Sequence, residues 1–313
     1  MLNKQLIALE KTLGTSSLDK INEPFIQAQG IELYLKRDDL LHPVISGNKW
    51  RKLKYILNHA LSIDSQKITS MGGAYSNHLH ALAYVGQLLG IKTRGIIRGE
   101  RPKRLNPTLS DLVAWGMEVE FISRSDYRQL RHYKTHDTLP GIQQGEYWLP
   151  EGGAMTLALQ GVAEVVDELV IDYDVLCVAC GTATTLAGLI NRVTDNKQLL
   201  GFAALKGADF LLTDVQQMLA SQPCEHKNWS ICLDYHFGGF AKVSPVLLDF
   251  IQDFEQRHSI QLEPVYTGKM LYGIYDLIRQ GFFKPGQRII ALHTGGLQGN
   301  RGIKGRGFNN TRK

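Results

Sequence analysis

Hydrophobic and polar positions follow two periods along this chain, and the two periods take turns. Residues 31–36, Ile-Glu-Leu-Tyr-Leu-Lys, alternate every second position like a strand and run into the charged Arg37-Asp38-Asp39. From Trp50 to Ser62 the period lengthens to that of a helix, with Leu53, Ile56, Leu57 and Leu61 on one face. The exchange recurs downstream. Strands are predicted over 67–71, 93–98, 118–122, 175–179, 199–205, 229–233 and 288–293. Helices are predicted over 79–89, 109–115, 127–133, 156–170, from the 181–185 turn through Val193, and over 245–257 and 270–280. Gly72-Gly73 ends one strand and Gly90 closes the helix that follows. Strands alternating with helices throughout point to parallel sheets covered on both faces. There is no solenoid repeat, low-complexity tract or obvious linker, so the expected organisation is two interleaved α/β domains, one of them discontinuous.

Composition adds exclusions. With 43% hydrophobic and 21% charged residues in 313, the chain has the make-up of an ordinary soluble protein large enough for one big domain or two smaller ones. The net charge of +5 is scattered, which argues against nucleic-acid binding. The basic stretch from Arg301 to Lys313 reads as a frayed terminus. The start of the chain lacks the build of a signal peptide and no apolar run is long enough to span a bilayer, so a cytoplasmic location is expected, with no membrane or nucleic-acid partner. Cys177, Cys180, Cys224 and Cys232 do not make a disulfide framework. The lone Cys177-x-x-Cys180 ends a buried strand, a setting for packing rather than for zinc or redox chemistry, and no metal site is expected.

Candidate chemistry begins at Ile45-Ser46-Gly47-Asn48-Lys49-Trp50-Arg51-Lys52-Leu53. A turn-prone Ser-Gly-Asn can aim the Lys49 amine into a cleft, where it would form a Schiff base with a carbonyl cofactor; a basic helix start facing solvent is the plainer alternative. In parallel sheets ligands bind beyond the carboxyl ends of strands, where helix amino termini present free N–H groups. Three glycine-containing turns fit: Gly72 to His78, Cys180 to Thr185, and His293-Thr294-Gly295-Gly296. Gly181-Thr182-Ala183-Thr184-Thr185 is the best phosphate cradle, and it is neither a Walker loop nor a dinucleotide fingerprint. Ser76-Asn77 opens a helix, so either residue serves as a cap or as a functional group, Asn77 toward a phenolate oxygen and Ser76 toward a proton. Tyr266-Thr267-Gly268-Lys269 and Thr294 each have a structural reading too. No one of these signals is strong, but together they match pyridoxal phosphate, which asks for an amine, a phosphate cradle, a donor at its ring oxygen and a partner at its ring nitrogen.

These motifs, in this order, resemble the D-cysteine desulfhydrase and 1-aminocyclopropane-1-carboxylate deaminase family, pyridoxal-phosphate enzymes of the tryptophan-synthase-β fold type. The likeness runs from Leu35-Lys36-Arg37-Asp38-Asp39 to His293-Thr294-Gly295-Gly296 and includes the lysine segment, Ser76-Asn77-His78 and Pro264-Val265-Tyr266-Thr267-Gly268-Lys269. It implies two parallel-sheet three-layer α/β domains (fold type II), a large cofactor-binding one of residues 1–50 and 158–313 and a small one of residues 51–157. It further implies that Lys49 holds pyridoxal 5'-phosphate and shuttles the Cα proton, and that Asn77 binds the ring oxygen. Gly181, Thr182, Ala183, Thr184 and Thr185, with Lys52, would hold the phosphate. Ser76 and Tyr266 would lie closest to a small amino acid substrate, Thr267 and Thr294 would face the cofactor, and the assembly would be a homodimer.

Within that family, the ring-opening deaminases carry Glu where this chain has Thr267 and an aliphatic residue where it has Thr294. A carboxylate near the ring nitrogen favours the protonated ring, the stronger electron sink. Threonines therefore favour β-elimination, giving pyruvate, ammonia and sulfide, over cyclopropane opening or another small amino acid lyase reaction. Three departures bear on the substrate: Tyr75 replaces the usual Gln, the phosphate turn is less glycine-rich, and Phe240 stands where relatives have a tyrosine, with Tyr235 nearby to compensate. A non-catalytic cofactor carrier or amino-acid sensor on the same fold, and an unrelated nucleotide-binding α/β protein, are the readings from other classes.

Overall fold

The computed structural model describes residues 1–45, 47–220, 222 and 226–304. Ser46, Cys224 and the tail from Gly305 to Lys313 lie outside the described residues. Among those described, the elements run α1 (Lys4–Glu10), β1 (Leu18–Ile21), α2 (Pro24–Ala28), β2 (Glu32–Lys36), α3 (Asn48–Ser62), β3 (Lys67–Gly72), α4 (Asn77–Leu89), β4 (Lys92–Arg98), α5 (Pro107–Ala114), β5 (Glu118–Ile122) and α6 (Arg124–Leu130). There follow β6 (Glu146–Leu149), α7 (Leu157–Asp167), β7 (Val175–Cys180), α8 (Thr184–Ile190), β8 (Gln198–Ala203), α9 (Phe210–Leu219), β9 (Trp229–Cys232), α10 (Pro245–His258), α11 (Thr267–Arg279), β10 (Arg288–Leu292) and α12 (Asn300–Lys304).

Two compact units result. One comprises Gly14–Lys52 and Thr156–Gly295; the other comprises Met1–Leu13, Leu53–Met155 and the described part of Gly296–Lys313. The first holds the sheet β1-β2-β10-β7-β8-β9, the second the sheet β5-β4-β3-β6. Every described pairing is parallel except β1 with β2. The expected parallel sheets are present. The antiparallel edge strand β1 is a correction to them: Leu18–Ile21 is too short and polar to announce itself.

In the larger sheet the two-residue period sorts side chains into two apolar layers. Leu33, Leu35, Val175, Cys177, Phe202 and Ile289 face α10 and α11, with Phe254, Ile274 and Tyr275 fully buried among them. Leu176, Val178, Cys180, Leu199 and Ile290 face α7, α8 and α9 on the other side. Each such side chain contributes about 1.5–3 kcal/mol by burial. Cys177 and Cys180 therefore lie on opposite faces of β7, each a small apolar filler whose thiol burial pushes upward, Cys180 to about 12. In the other unit, Met71, Ile96, Tyr127 and Trp148 form an apolar cluster.

Helix starts depart from the sequence pattern where capping residues decide. α6 begins at Arg124 rather than 127 because the Ser123 side chain accepts the Asp126 N–H. α3 begins at Asn48 rather than Trp50, so Lys49 lies on the first helical turn and not in the turn before it.

Candidate active site

The backbone leading into α3 is pinned to the end of β10. Gly47 has φ +63°, and a Cβ there would sit 1.8 Å from the Thr294 carbonyl oxygen, so only glycine fits. The Gly47 N–H donates to Asp38 O at 3.0 Å and the Asn48 N–H to Thr294 O at 3.3 Å. This packing fixes the first turn of α3, and with it Lys49. The Lys49 Nζ donates to Asn48 Oδ1 at 2.6 Å, while Asn48 Nδ2 donates to Thr185 Oγ1 at 2.9 Å. Burial pushes the Lys49 amine down to about 8, partly opposed by the negative charge of Glu263.

The remaining positive charges of that helix do not face solvent, which removes the plainer reading of the segment. Arg51 is buried and donates from Nε and Nη2 to both oxygens of Asp38, which is 0% exposed, and from Nη2 to Glu168 at 2.8 Å. Lys36 Nζ joins Glu168 at 2.8 Å. Lys52, also buried, reaches Thr182 Oγ1 at 3.3 Å, and Thr182 Oγ1 lies 3.3 Å from Thr184 Oγ1. Burial first, then the charge of Lys49, holds the Lys52 amine well below its ordinary value.

The 181–185 turn leaves β7 and enters α8 with Ala183 as its capping residue and Thr184 and Thr185 buried. The Tyr266 ring lies across Gly181, where a Cβ would meet Cε1 at 2.5 Å. Phe240, 48% exposed, meets the Tyr266 ring edge to face at 6.0 Å. The Tyr235 hydroxyl, the nearby candidate to replace the one missing at Phe240, donates to Asp276 at 2.9 Å on α11.

The two late threonines differ sharply. Thr267 is 0% exposed and its hydroxyl donates to Glu263 Oε1 at 3.1 Å. Glu263 in turn accepts the N–H groups of Val265, Tyr266 and Thr267 at 2.7, 2.9 and 2.6 Å. This carboxylate, placed where a cap is needed, starts α11 three residues before the apolar period begins. Burial raises its pKa even so. Thr294 has no side-chain hydrogen bond among the described residues, and its carbonyl is the one that receives Asn48. Thr294 is thus the threonine with a hydroxyl to offer. Lys269, 1% exposed, donates to the carbonyls of Ala204, His236 and Gly239, tying down a loop in which Phe237 and Ala241 adopt left-handed conformations.

Ser76 and Asn77 belong to the other unit. β3 ends at Gly72, where a Cβ would strike Ser76 Oγ at 2.5 Å, and Ser76 caps α4 by accepting the Leu79 N–H at 3.2 Å. Its hydroxyl proton remains available to donate. Asn77 Oδ1 accepts from Gln298 Nε2 at 2.5 Å. The Tyr75 ring packs against Gly302.

Within the larger unit, then, Lys49, Lys52, Thr182, Thr185, Tyr266 and Thr294 are drawn together, and the Thr267 hydroxyl is engaged by Glu263. Asn48, Glu263, Lys269 and Gln298 were not singled out from the sequence. Asn48 adjoins the lysine, and Glu263 stands seven residues before an apolar helical run, the only signals that point to either.

A family model described as pyridoxal-phosphate dependent enzyme matches residues 17–295. A protein of Pyrococcus furiosus, provisionally named 1-aminocyclopropane-1-carboxylate deaminase, is 30% identical over 288 residues, 86% of each chain. A D-cysteine desulfhydrase of Salmonella paratyphi A is 27% identical over 288 residues, 85% of this chain and 87% of that one. The crystal structure of an ACC deaminase homologue superposes with a TM-score of 0.74 at 25% identity, covering 97% of this chain and 98% of the other.

Proposed function

Because the chain belongs to the family of pyridoxal-phosphate-dependent enzymes, we propose that it is a lyase of the D-cysteine desulfhydrase kind, acting by β-elimination on a small amino acid. The residues fit the cofactor. Lys52 is a buried amine whose charge is opposed by burial and by Lys49, and a phosphate at the 181–185 turn would offset both. Gly181, Thr182, Ala183, Thr184 and Thr185 would hold that phosphate, Lys49 the carbonyl carbon, Asn77 the ring oxygen and Thr294 the ring nitrogen. When bound, the cofactor supplies an electron-withdrawing ring conjugated to the substrate Cα.

Lys49, with its amine held near 8, takes the Cα proton, and Asn48 Oδ1 orients it through one Nζ hydrogen. Ser76 and Tyr266 are the hydroxyls we assign to the substrate. Loss of the Cα proton and of the Cβ–S bond releases sulfide, and the remaining enamine takes up one water to yield pyruvate and ammonia. No oxidant is needed.

One observation carries the choice of elimination. Thr267 is committed to Glu263, and Glu263 is committed to three backbone N–H groups, which leaves the neutral Thr294 hydroxyl for the ring nitrogen. A neutral partner makes a weaker electron sink, adequate when the leaving group is a thiol. The name of the Pyrococcus relative favours a second reading, opening of 1-aminocyclopropane-1-carboxylate. The test is a screen of D- and L-amino acids and of the cyclopropane amino acid for α-keto acid and ammonia, with Lys49→Ala as the blank. Pyruvate and sulfide from D-cysteine, lost in the blank, are expected; steady ammonia from the cyclopropane substrate alone would overturn the reading. We extend the proposal to a homodimer, the form the family resemblance implies, to be checked by sedimentation of the purified protein, and to the cytoplasmic location expected from the sequence.

A further inference from the structure

An asparagine amide can donate or accept, and which of the two it offers a ligand depends on what holds its other end. At Asn77 that question is answered by Gln298, which follows the last strand. Gln298 is itself an amide, but its two ends meet groups without ambiguity. Its Oε1 faces Arg301 Nη2 at 3.2 Å, and a guanidinium only donates; Thr108 Oγ1 donates to the same oxygen at 2.6 Å. Its Nε2 faces the Tyr75 carbonyl at 3.3 Å, and a carbonyl only accepts. Arg301 is held in turn by Asp111 Oδ2 at 2.6 Å, which His80 Nε2 also approaches at 3.0 Å. The second hydrogen of Gln298 Nε2 therefore meets Asn77 Oδ1, at 2.5 Å. Asn77 Nδ2 makes no hydrogen bond among the described residues and is left as a donor.

We propose that Gln298, oriented by Arg301, is a positioning residue that fixes the polarity of the Asn77 amide so that Asn77 presents a donor, and never an acceptor, to the anionic ring oxygen of the cofactor. This rests on the reading that Asn77 binds that oxygen. The order runs from Asp111 to Arg301 to Gln298 to Asn77, each step fixed by a group that can act in only one sense.

The test is a double-mutant cycle read by cofactor affinity and by the absorbance band of the bound cofactor, whose position reports the protonation of the ring oxygen. Asn77→Ala is expected to weaken cofactor binding about 10- to 100-fold, the range for a hydrogen bond to a charged group. Gln298→Glu keeps the shape but offers only acceptors. It should draw Asn77 Nδ2 toward itself, turn Oδ1 on the cofactor, shift the band and weaken binding by a similar factor. In the Asn77→Ala background the same change should do almost nothing further. Equal effects of Gln298→Glu in both backgrounds would mean a role in packing alone and overturn the proposal, as would a silent Gln298→Glu beside an effective Asn77→Ala. A silent Asn77→Ala overturns the premise itself, and so separates the two failures. Arg301→Met, which leaves Gln298 in place but frees it to flip, should weaken binding about 2- to 5-fold in the Asn77 background only, and carries the test if Gln298→Glu does not fold.

Discussion

A lysine that must react as an amine has to shed its proton near physiological pH, and Lys49 is brought to that condition by burial, which pushes it to about 8. Glu263 works in the opposite direction, its negative charge favouring the protonated amine. Removing that charge should therefore lower the pKa further. In Glu263→Gln the pH midpoint for cofactor capture by the cofactor-free protein should move below the wild-type value of about 8; a stopped-flow pH series of absorbance change measures it, and an upward movement would refute this account of the charge. Lys49 stood out in the sequence not from Ser-Gly-Asn-Lys alone, which also suits a plain helix start, but from its company with the 181–185 turn, Ser76-Asn77 and two late threonines. Glu263 did not, because a carboxylate seven residues before an apolar run says nothing about how many N–H groups it will collect. Thr267 and Thr294 looked equivalent in the sequence and are not, since among the described residues only Thr267 has its hydroxyl claimed by a neighbour.

The elements were read well where burial alone decides them and less well where caps or ions do. The apolar strand at 175–179 was readable because both faces of β7 are covered. The starts of α3, α6 and α11 moved because Gly47, Ser123 and Glu263 satisfy free N–H groups or redirect the chain, features no periodicity reports. α3 depends as well on Arg51, whose buried guanidinium grips Asp38 at 3.0 Å and Glu168 at 2.8 Å. Arg51→Met would leave Asp38 buried without its main partner, at a cost of about 3–5 kcal/mol. Urea denaturation should show that loss, with cofactor affinity falling in parallel because the turn before Lys49 hangs on Asp38. A variant as stable as the parent would show that Asp38 finds another partner.

At the scale of the whole molecule, the groups assigned to the cofactor come from segments far apart in the chain, 48–52, 181–185 and 294. Unfolding scatters them, so the folded form alone should bind tightly. Cofactor at 100 times its dissociation constant should raise stability by about 2.7 kcal/mol, and Lys49→Ala should lose most of that gain at the same concentration. Thermal denaturation with and without cofactor measures both. By itself the sequence determined the α/β class and the parallel sheets and put Lys49 forward as the candidate for the cofactor, because these rest on local period, on glycine at special backbone positions and on motif order. Tertiary structure decided the rest: that Arg51 and Lys52 are buried rather than solvated, that the hydroxyl of Thr267, and not that of Thr294, is engaged by a side chain among the described residues, that the Tyr235 hydroxyl meets Asp276, and that Gln298 holds Asn77. Each depends on which partner reaches a polar group first once the chain has closed on itself. Most buried polar groups take a partner, and the identity of that partner is set by distance in space. The basic turn around Lys49 could be read either way along the chain; burial of its neighbours is what removes the solvent-facing reading.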